Sequence, residues 1–188
     1  MSAIRRPAGN PAQNGSMLVE FGLLIWVFFI LIFGIIELAR LLYAFNTLQE
    51  CTRRAASAVS VAVFGSSTNL QTIRRHALFR SNDGALPLIP NVTDQSVRIE
   101  FLWIKRSADG SFSKQTVATG SMPTSAAQNA ANCLRDPYNE NCVQLVQVRI
   151  CDPKDSTGCT PIDFMPLTTL VPFKVPLPTA PTILKTQF

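Results

Sequence analysis

Charge is scarce in this 188-residue chain: Asp, Glu, Lys and Arg supply 15% of it, against roughly 25% in an average soluble domain. Hydrophobic residues reach 47%, which excludes a disordered polymer, a class defined by low hydrophobicity and high charge. Histidine occurs once, in Arg74-Arg75-His76, and reads as an exposed helix position rather than a general base. Gly-x-Ser-x-Gly, His-Glu-x-x-His and a phosphate-cradling glycine loop are all missing. Asp152 with Asp155, and Asp136 with Glu140, are loop acids of the kind that build turns. The expectation is therefore no enzyme activity, no catalytic residue, no metal or other cofactor and no small-molecule substrate.

Proline and glycine are absent from long stretches. All 13 prolines lie outside residues 12–86, and nine of them fall from Pro123 to Pro181. Between Ile35 and Phe64 there is neither Gly nor Pro. The first third thus reads as continuous helix and the last half as strands and turns. Charge is missing altogether from the 16 residues Phe21–Ile36, FGLLIWVFFILIFGII. A bilayer span needs about 20 residues and tolerates about 17. Extending back through Met17-Leu18-Val19 reaches that length and takes in Glu20. A cleavable secretory signal would show an apolar core of about 7–15 residues and then a small-residue cleavage site. Here the run continues into Glu37-Leu-Ala-Arg40 and further helix, so the chain reads as membrane-attached through one span.

Residues 1–15 are polar, rich in Pro, Asn and Gly, and carry only Arg5 and Arg6. They cannot bury a core and are expected to be disordered. The two arginines favour a cytoplasmic N-terminus, with the rest of the chain on the far side of the membrane. Beyond the span, Leu38, Leu41, Leu42, Phe45, Leu48, Cys51, Ala55, Ala58, Val59 and Ala62 recur at three- and four-residue spacing, one helical stripe. Helix from Met17 to about Phe64 would measure about 72 Å, greasy all round in its first half and amphipathic in its second. Gly65-Ser-Ser-Thr-Asn ends it. A second helix is expected over Leu70–Phe79, then a turn at Ser81–Gly84.

From residue 95 the apolar period becomes two. Val97, Ile99, Phe101 and Trp103 share one face of Gln95–Arg106, and Val146, Val148 and Ile150 share one face of Cys142–Cys151. Ser111–Ala118, Leu170–Val175 and Thr182–Thr186 are weaker strand candidates. Asn91-Val-Thr93 matches a glycosylation acceptor and is read as loop. The expected fold class is α+β: a long N-terminal transmembrane and amphipathic helix followed by a small antiparallel-sheet head. Its divisions are 1–15 as leader, 16–64 as helix, 65–94 as short helix and linker, and 95–188 as a β-rich head. The net charge of +5 is local, since Arg40, Arg53, Arg54, Arg74, Arg75 and Arg80 face only Glu50 between residues 40 and 80. No aromatics interleave with this patch and no nucleic-acid motif accompanies it. It reads as a solvated helix face, or one that meets lipid headgroups or acidic partner surfaces, and no nucleic-acid partner is expected.

An acid beside a span needs a reason. At a bilayer centre Asp costs about 2.5–3.5 kcal/mol. Alone, Glu20 is an interfacial acid near the positive end of a helix dipole, stabilised by about 0.3–1 kcal/mol. It stands, however, in Gly15-Ser-Met-Leu-Val-Glu20-Phe21, a G-x-x-x-x-E-F pattern between a short basic leader and a greasy helix. Here the chain resembles the type IV pilin superfamily, and within it the TadE-like pseudopilins of tight-adherence pili. Glu37–Ser60, ELARLLYAFNTLQECTRRAASAVS, resembles the helix extension of that family.

The resemblance implies cleavage between Gly15 and Ser16 by a prepilin peptidase, with Glu20 as fifth residue of the mature chain and Phe21 after it. It implies a structural minor pilin or pseudopilin for an adhesive pilus. The implied partners are the peptidase, a second pseudopilin, the major pilin and the inner-membrane assembly platform. The implied location is the bacterial inner membrane, N-terminus cytoplasmic and head periplasmic, with passage to a surface pilus on assembly. In stacked helices an acid five residues in can pair with a neighbour's terminal ammonium. The alternative is an uncleaved signal-anchored envelope protein whose periplasmic head binds a partner.

Four of the five cysteines, Cys133, Cys142, Cys151 and Cys159, cluster within 27 residues of the part expected outside the cytoplasm, an oxidising setting. Three pairings are open to them. The sequential one, Cys133–Cys142 and Cys151–Cys159, closes two short loops and is the one expected. Zinc ligation competes, but the spacings exceed the two to four residues of a zinc knuckle. Cys51 is left on the helix stripe, as a small buried apolar residue or as an intermolecular disulfide partner.

Overall fold

A computed structural model describes residues 13–61, 66–156, 158–167 and 174–187. Most of the expected leader, Gly65 and most of the expected strand Leu170–Val175 lie outside the described residues. Helix α1 spans Gln13–Ser60, 48 residues. It begins four residues before Met17, so Gly15 lies inside the helix rather than ahead of it. The stretch from Gln13 to Ser16 contains no proline to stop the backbone ladder, and a glycine costs only about 1 kcal/mol relative to alanine there.

The chain divides into two compact units, residues 1–39 with 166–172 and residues 40–165 with 173–188. In the first, every residue from Met17 to Phe29 is exposed. Phe28, Phe29 and Phe33 make edge and stacked contacts along the helix, at centroid distances of 5.9 and 6.2 Å.

The second unit starts with the amphipathic half of α1. Ala44, Leu48, Cys51, Ala55, Ala56 and Val59 are all buried, which reproduces most of the stripe read from the spacing. Ser60 O accepts a hydrogen bond from Gln187 N at 3.0 Å, so the C-terminal tail satisfies one of the carbonyls that a helix end leaves open. Helix α2 spans Ser67–Ala77 and is capped by the Ser66 hydroxyl, which accepts from Asn69 N. A hairpin follows, β1 (Ala85–Leu86) and β2 (Ile89–Thr93), so the segment expected to be a linker carries strands and Asn91-Val-Thr93 is strand rather than loop. The small size of this hairpin hides it: one alternation of apolar residues is too short to stand out as a period.

The main sheet contains β3 (Val97–Arg106), β4 (Phe112–Thr116), β5 (Leu145–Ile150) and β6 (Thr182–Lys185) in the order β4-β3-β5-β6, antiparallel throughout. The register sets Val97 opposite Ile150, Ile99 opposite Val148 and Phe101 opposite Val146. The alternating residues therefore meet on one face and join the α1 stripe in a single core. On the other face Arg149 Nη2 donates to Glu100 at 2.7 Å. Arg98, opposite Arg149, donates to the carbonyls of Asp155 and Gly158, which separates two like charges by giving each its own acceptor.

Helix α3, Ala126–Arg135, was not expected, because Ala, Asn and Gln give it little apolar periodicity. Asn129 fixes it from within. Buried to 1% exposure, its side chain donates to Val143 O at 3.0 Å and accepts from Val143 N at 2.8 Å, as a neighbouring strand would.

Two bulky residues adopt the left-handed backbone region: Phe79 with φ 60° and Leu88 with φ 64°. Each such residue costs about 1–2 kcal/mol. Phe79 follows the C-cap of α2 in a Schellman arrangement, with Phe79 N bonded to His76 O and Arg80 N to Arg75 O, a position that usually takes glycine. Leu88 follows Pro87 in the two-residue turn between β1 and β2, where the type II geometry likewise favours glycine. Arg54 lies over the Phe79 ring at 4.2 Å, which offsets about 0.5–1 kcal/mol at an exposed site.

Candidate functional site

Gly15, Ser16, Glu20 and Phe21 lie in sequence on α1. Ser16 and Glu20 are four residues apart and so share one helix face, while Phe21 begins the chargeless run. Gly15 and Glu20 are exposed, and Phe21 is 65% exposed. A Cβ added at Gly15, Gly22 or Gly34 would meet nothing within 4 Å. Nothing in the fold of this chain therefore covers the Gly15–Ser16 bond or the flank of Glu20. Of the first four amides of a helix none has an intrahelical partner, and Gly15 is the third residue of α1. The segment around the bond is the part of α1 that opens at least cost.

Glu37, at the other end of the chargeless run, is a residue that the sequence reading passed over as one of the polar fillers. It is buried to 1% exposure, and one carboxylate oxygen accepts the backbone N–H of Leu167. Buried charge requires such partners. Its signal in the sequence is only that it ends a 16-residue stretch without charge; the partner lies 130 residues away.

The cysteines pair sequentially, Cys133 with Cys142 and Cys151 with Cys159, and Cys51 is a buried free thiol. The first bridge closes the loop after α3, where Asp136 accepts from Tyr138 N at 2.9 Å. The second closes the loop after β5. There Asp155 accepts from Gly158 N at 2.7 Å and Thr160 N at 3.0 Å, and Asp152 accepts from Lys154 N at 3.0 Å. These loop acids build turns. A Cβ on Gly158 would stand 2.7 Å from Asp155 Oδ2, so a glycine is needed for the closeness of that turn. Among the described residues no three His, Cys, Asp or Glu side chains are gathered to hold a metal ion. His76 is exposed on α2.

The basic patch is partly compensated. Arg53 and Arg54 both bond Glu50, at 2.9 and 2.7 Å. Arg75 bonds Asp83 at 2.6 Å. The Arg75 guanidinium, and after it the Gln71 amide, hold the Asp83 carboxyl below its ordinary value.

Among the described residues α1 is the one helix long and apolar enough to cross a membrane, and its exposed apolar surface from Met17 to Phe29 has no cover within the chain. Such a surface marks contact with lipid or with other protein. The comparisons agree with the position of these residues: the family model described as TadE-like protein matches residues 15–57, a segment that begins at Gly15 and ends within the amphipathic half of α1. No curated protein and no solved structure is matched by the chain.

Proposed function

We propose that this TadE-like, pilin-related chain is a structural minor pilin or pseudopilin of a tight-adherence pilus, matured by a prepilin peptidase that cuts between Gly15 and Ser16. The observation that carries the proposal is the coincidence of the matched segment, which starts at Gly15, with the junction of a basic leader and an apolar helix. Local chemistry supports the cut. Gly15 tolerates the extended backbone that a protease active site needs, and the bond lies in the first turn of α1, where opening loses few hydrogen bonds.

Cleavage removes Arg5 and Arg6 and creates an ammonium on Ser16. In a bundle of such helices, Glu20 of one subunit pairs with the terminal ammonium of the next. Desolvation offsets most of the Coulomb gain of such a pair, so its contribution is to register rather than to net stability. The apolar surface of α1 then serves twice, against lipid before assembly and against neighbouring helices afterwards. Arg5 and Arg6 orient the chain with its N-terminus in the cytoplasm. The disulfide-tied unit lies in the periplasm, where oxidation is permitted, and the partners are the peptidase, other pilins or pseudopilins and the inner-membrane platform.

Intact mass and N-terminal sequencing of the membrane-extracted protein, with and without an active peptidase, test this. A chain that starts at Ser16 only when the peptidase is active is the expected result. A chain that keeps Arg5 and Arg6 beside a competent peptidase refutes cleavage and leaves an uncleaved anchor with a binding head.

A further inference from the structure

Two positions whose backbone calls for glycine carry large apolar side chains, and both expose them. Phe79 is 47% exposed and Leu88 is 61% exposed, with φ of 60° and 64°. They are neighbours on the surface: Phe79 and Pro87, the residue before Leu88, line one cleft of about 410 Å³ with Tyr43. On its other side Phe79 lines a second cleft, of about 500 Å³, with Arg54, Ile73, His76 and Arg80. The ring thus stands as a ridge between two clefts, in a stretch where six arginines face only Glu50 and Asp83 between residues 40 and 84. Glycine at either position would relieve the backbone. Backbone strain of this kind persists where the side chain has work outside the fold.

A surface of complementary chemistry exists on the same unit. The loop closed by Cys133–Cys142 presents Leu134 at 87% exposure and Tyr138 at 39%, beside the exposed acids Asp136 and Glu140. The bridge, the Asn129 bonds to Val143 and the Gln144 Nε2 bond to Pro137 O at 2.8 Å hold this loop in one conformation, which lowers the entropy lost on docking. The two surfaces share no residue.

We propose that the Phe79–Leu88 ridge of one copy receives the Leu134–Glu140 loop of a second copy of this chain. Leu134 and Tyr138 fill the clefts on either side of Phe79, and Asp136 and Glu140 face the arginine rim. Two different patches joined copy to copy make a head-to-tail contact, which repeats as a ring or as an open helical array. The contact requires neither leader cleavage nor Glu20, so it stands or falls separately from the pilus role.

The test uses the full chain in detergent, followed by sedimentation over a range of concentrations. Two double variants are compared with the parent, Phe79→Gly with Leu88→Gly, and Leu134→Ser with Glu140→Lys. The parent is expected to self-associate, and each variant to do so at least about tenfold more weakly, equivalent to about 1.4 kcal/mol. The glycine variant is expected to melt at the same or a higher temperature, which a merely structural role for Phe79 and Leu88 would not produce. Mixed in equal amounts, the two variants are expected to regain dimers and nothing larger, because one intact ridge meets one intact loop. A monomeric parent, association unchanged in either variant, a lower melting temperature in the glycine variant, or failure of the mixture to form dimers overturns the proposal.

Discussion

Glu20 and Glu37 bracket the 16 residues without charge, and their surroundings differ. Glu37 is buried and accepts the amide of Leu167, so its carboxylate is engaged inside the fold of its own unit. Glu20 is exposed on the helix surface, one turn from Ser16, where another molecule reaches it. From this contrast the Glu20→Gln variant is expected to insert into the membrane and lose its leader normally, since an amide is no harder to insert than an acid. Its assembled fraction should fall about tenfold or more, because the paired ammonium of a neighbouring subunit then lacks its counter-charge in an apolar bundle. Quantifying cleaved and polymerised subunits separately checks it, and normal assembly of the variant refutes the pairing.

Between α2 and the β1–β2 hairpin, one clamp carries a pH dependence. Asp83 accepts from Arg75 Nε at 2.6 Å, Arg75 Nη2 at 3.0 Å and Gln71 Nε2 at 2.9 Å. These partners, Arg75 above all, lower its carboxyl below the ordinary aspartate value of 3.8. A depressed folded value means that the stabilisation is fully present above 3.8 and is lost as pH falls through the lower, folded value. Amides at the C-terminal end of α2 should therefore exchange faster as the solution is acidified through that window. In Asp83→Asn the exchange should be faster at neutral pH and lack that step. An unchanged acid profile in the variant would show that the clamp does not hold α2.

At the scale of the whole chain, the unit formed by residues 40–165 and 173–188 contains the buried half of α1, the four-stranded sheet and both disulfides. Its core does not draw on the exposed apolar residues 17–29. A chain begun at Arg40 and made in an oxidising compartment is expected to be soluble without detergent and to unfold cooperatively with both bridges intact. Circular dichroism during heating and thiol counting check this, and aggregation of the truncated chain would show that the apolar half of α1 is needed for folding as well as for anchoring.

Features whose cause is local could be read directly from the residue order. The chargeless run Phe21–Ile36 declares the anchor because a bilayer responds to apolar length alone. The three- and four-residue recurrence from Leu38 to Val59 declares the buried helix stripe, and the alternation in β3 and β5 declares the sheet, since each follows from the period of its own element. Short loops made sequential pairing of the four cysteines the expected one. The rest depended on partners far along the chain. Helix α3 is held by Asn129 reaching Val143, and neither residue is marked by its neighbours. Glu37 acquires its role from the backbone of Leu167. Phe79 and Leu88 look like ordinary apolar residues until the helix end and the turn place them in left-handed backbone. Element type, membrane anchoring and cysteine pairing are settled by short-range pattern, whereas buried polar contacts and exposed strained side chains arise only when the chain closes on itself and distant groups must satisfy one another's hydrogen bonds and volume.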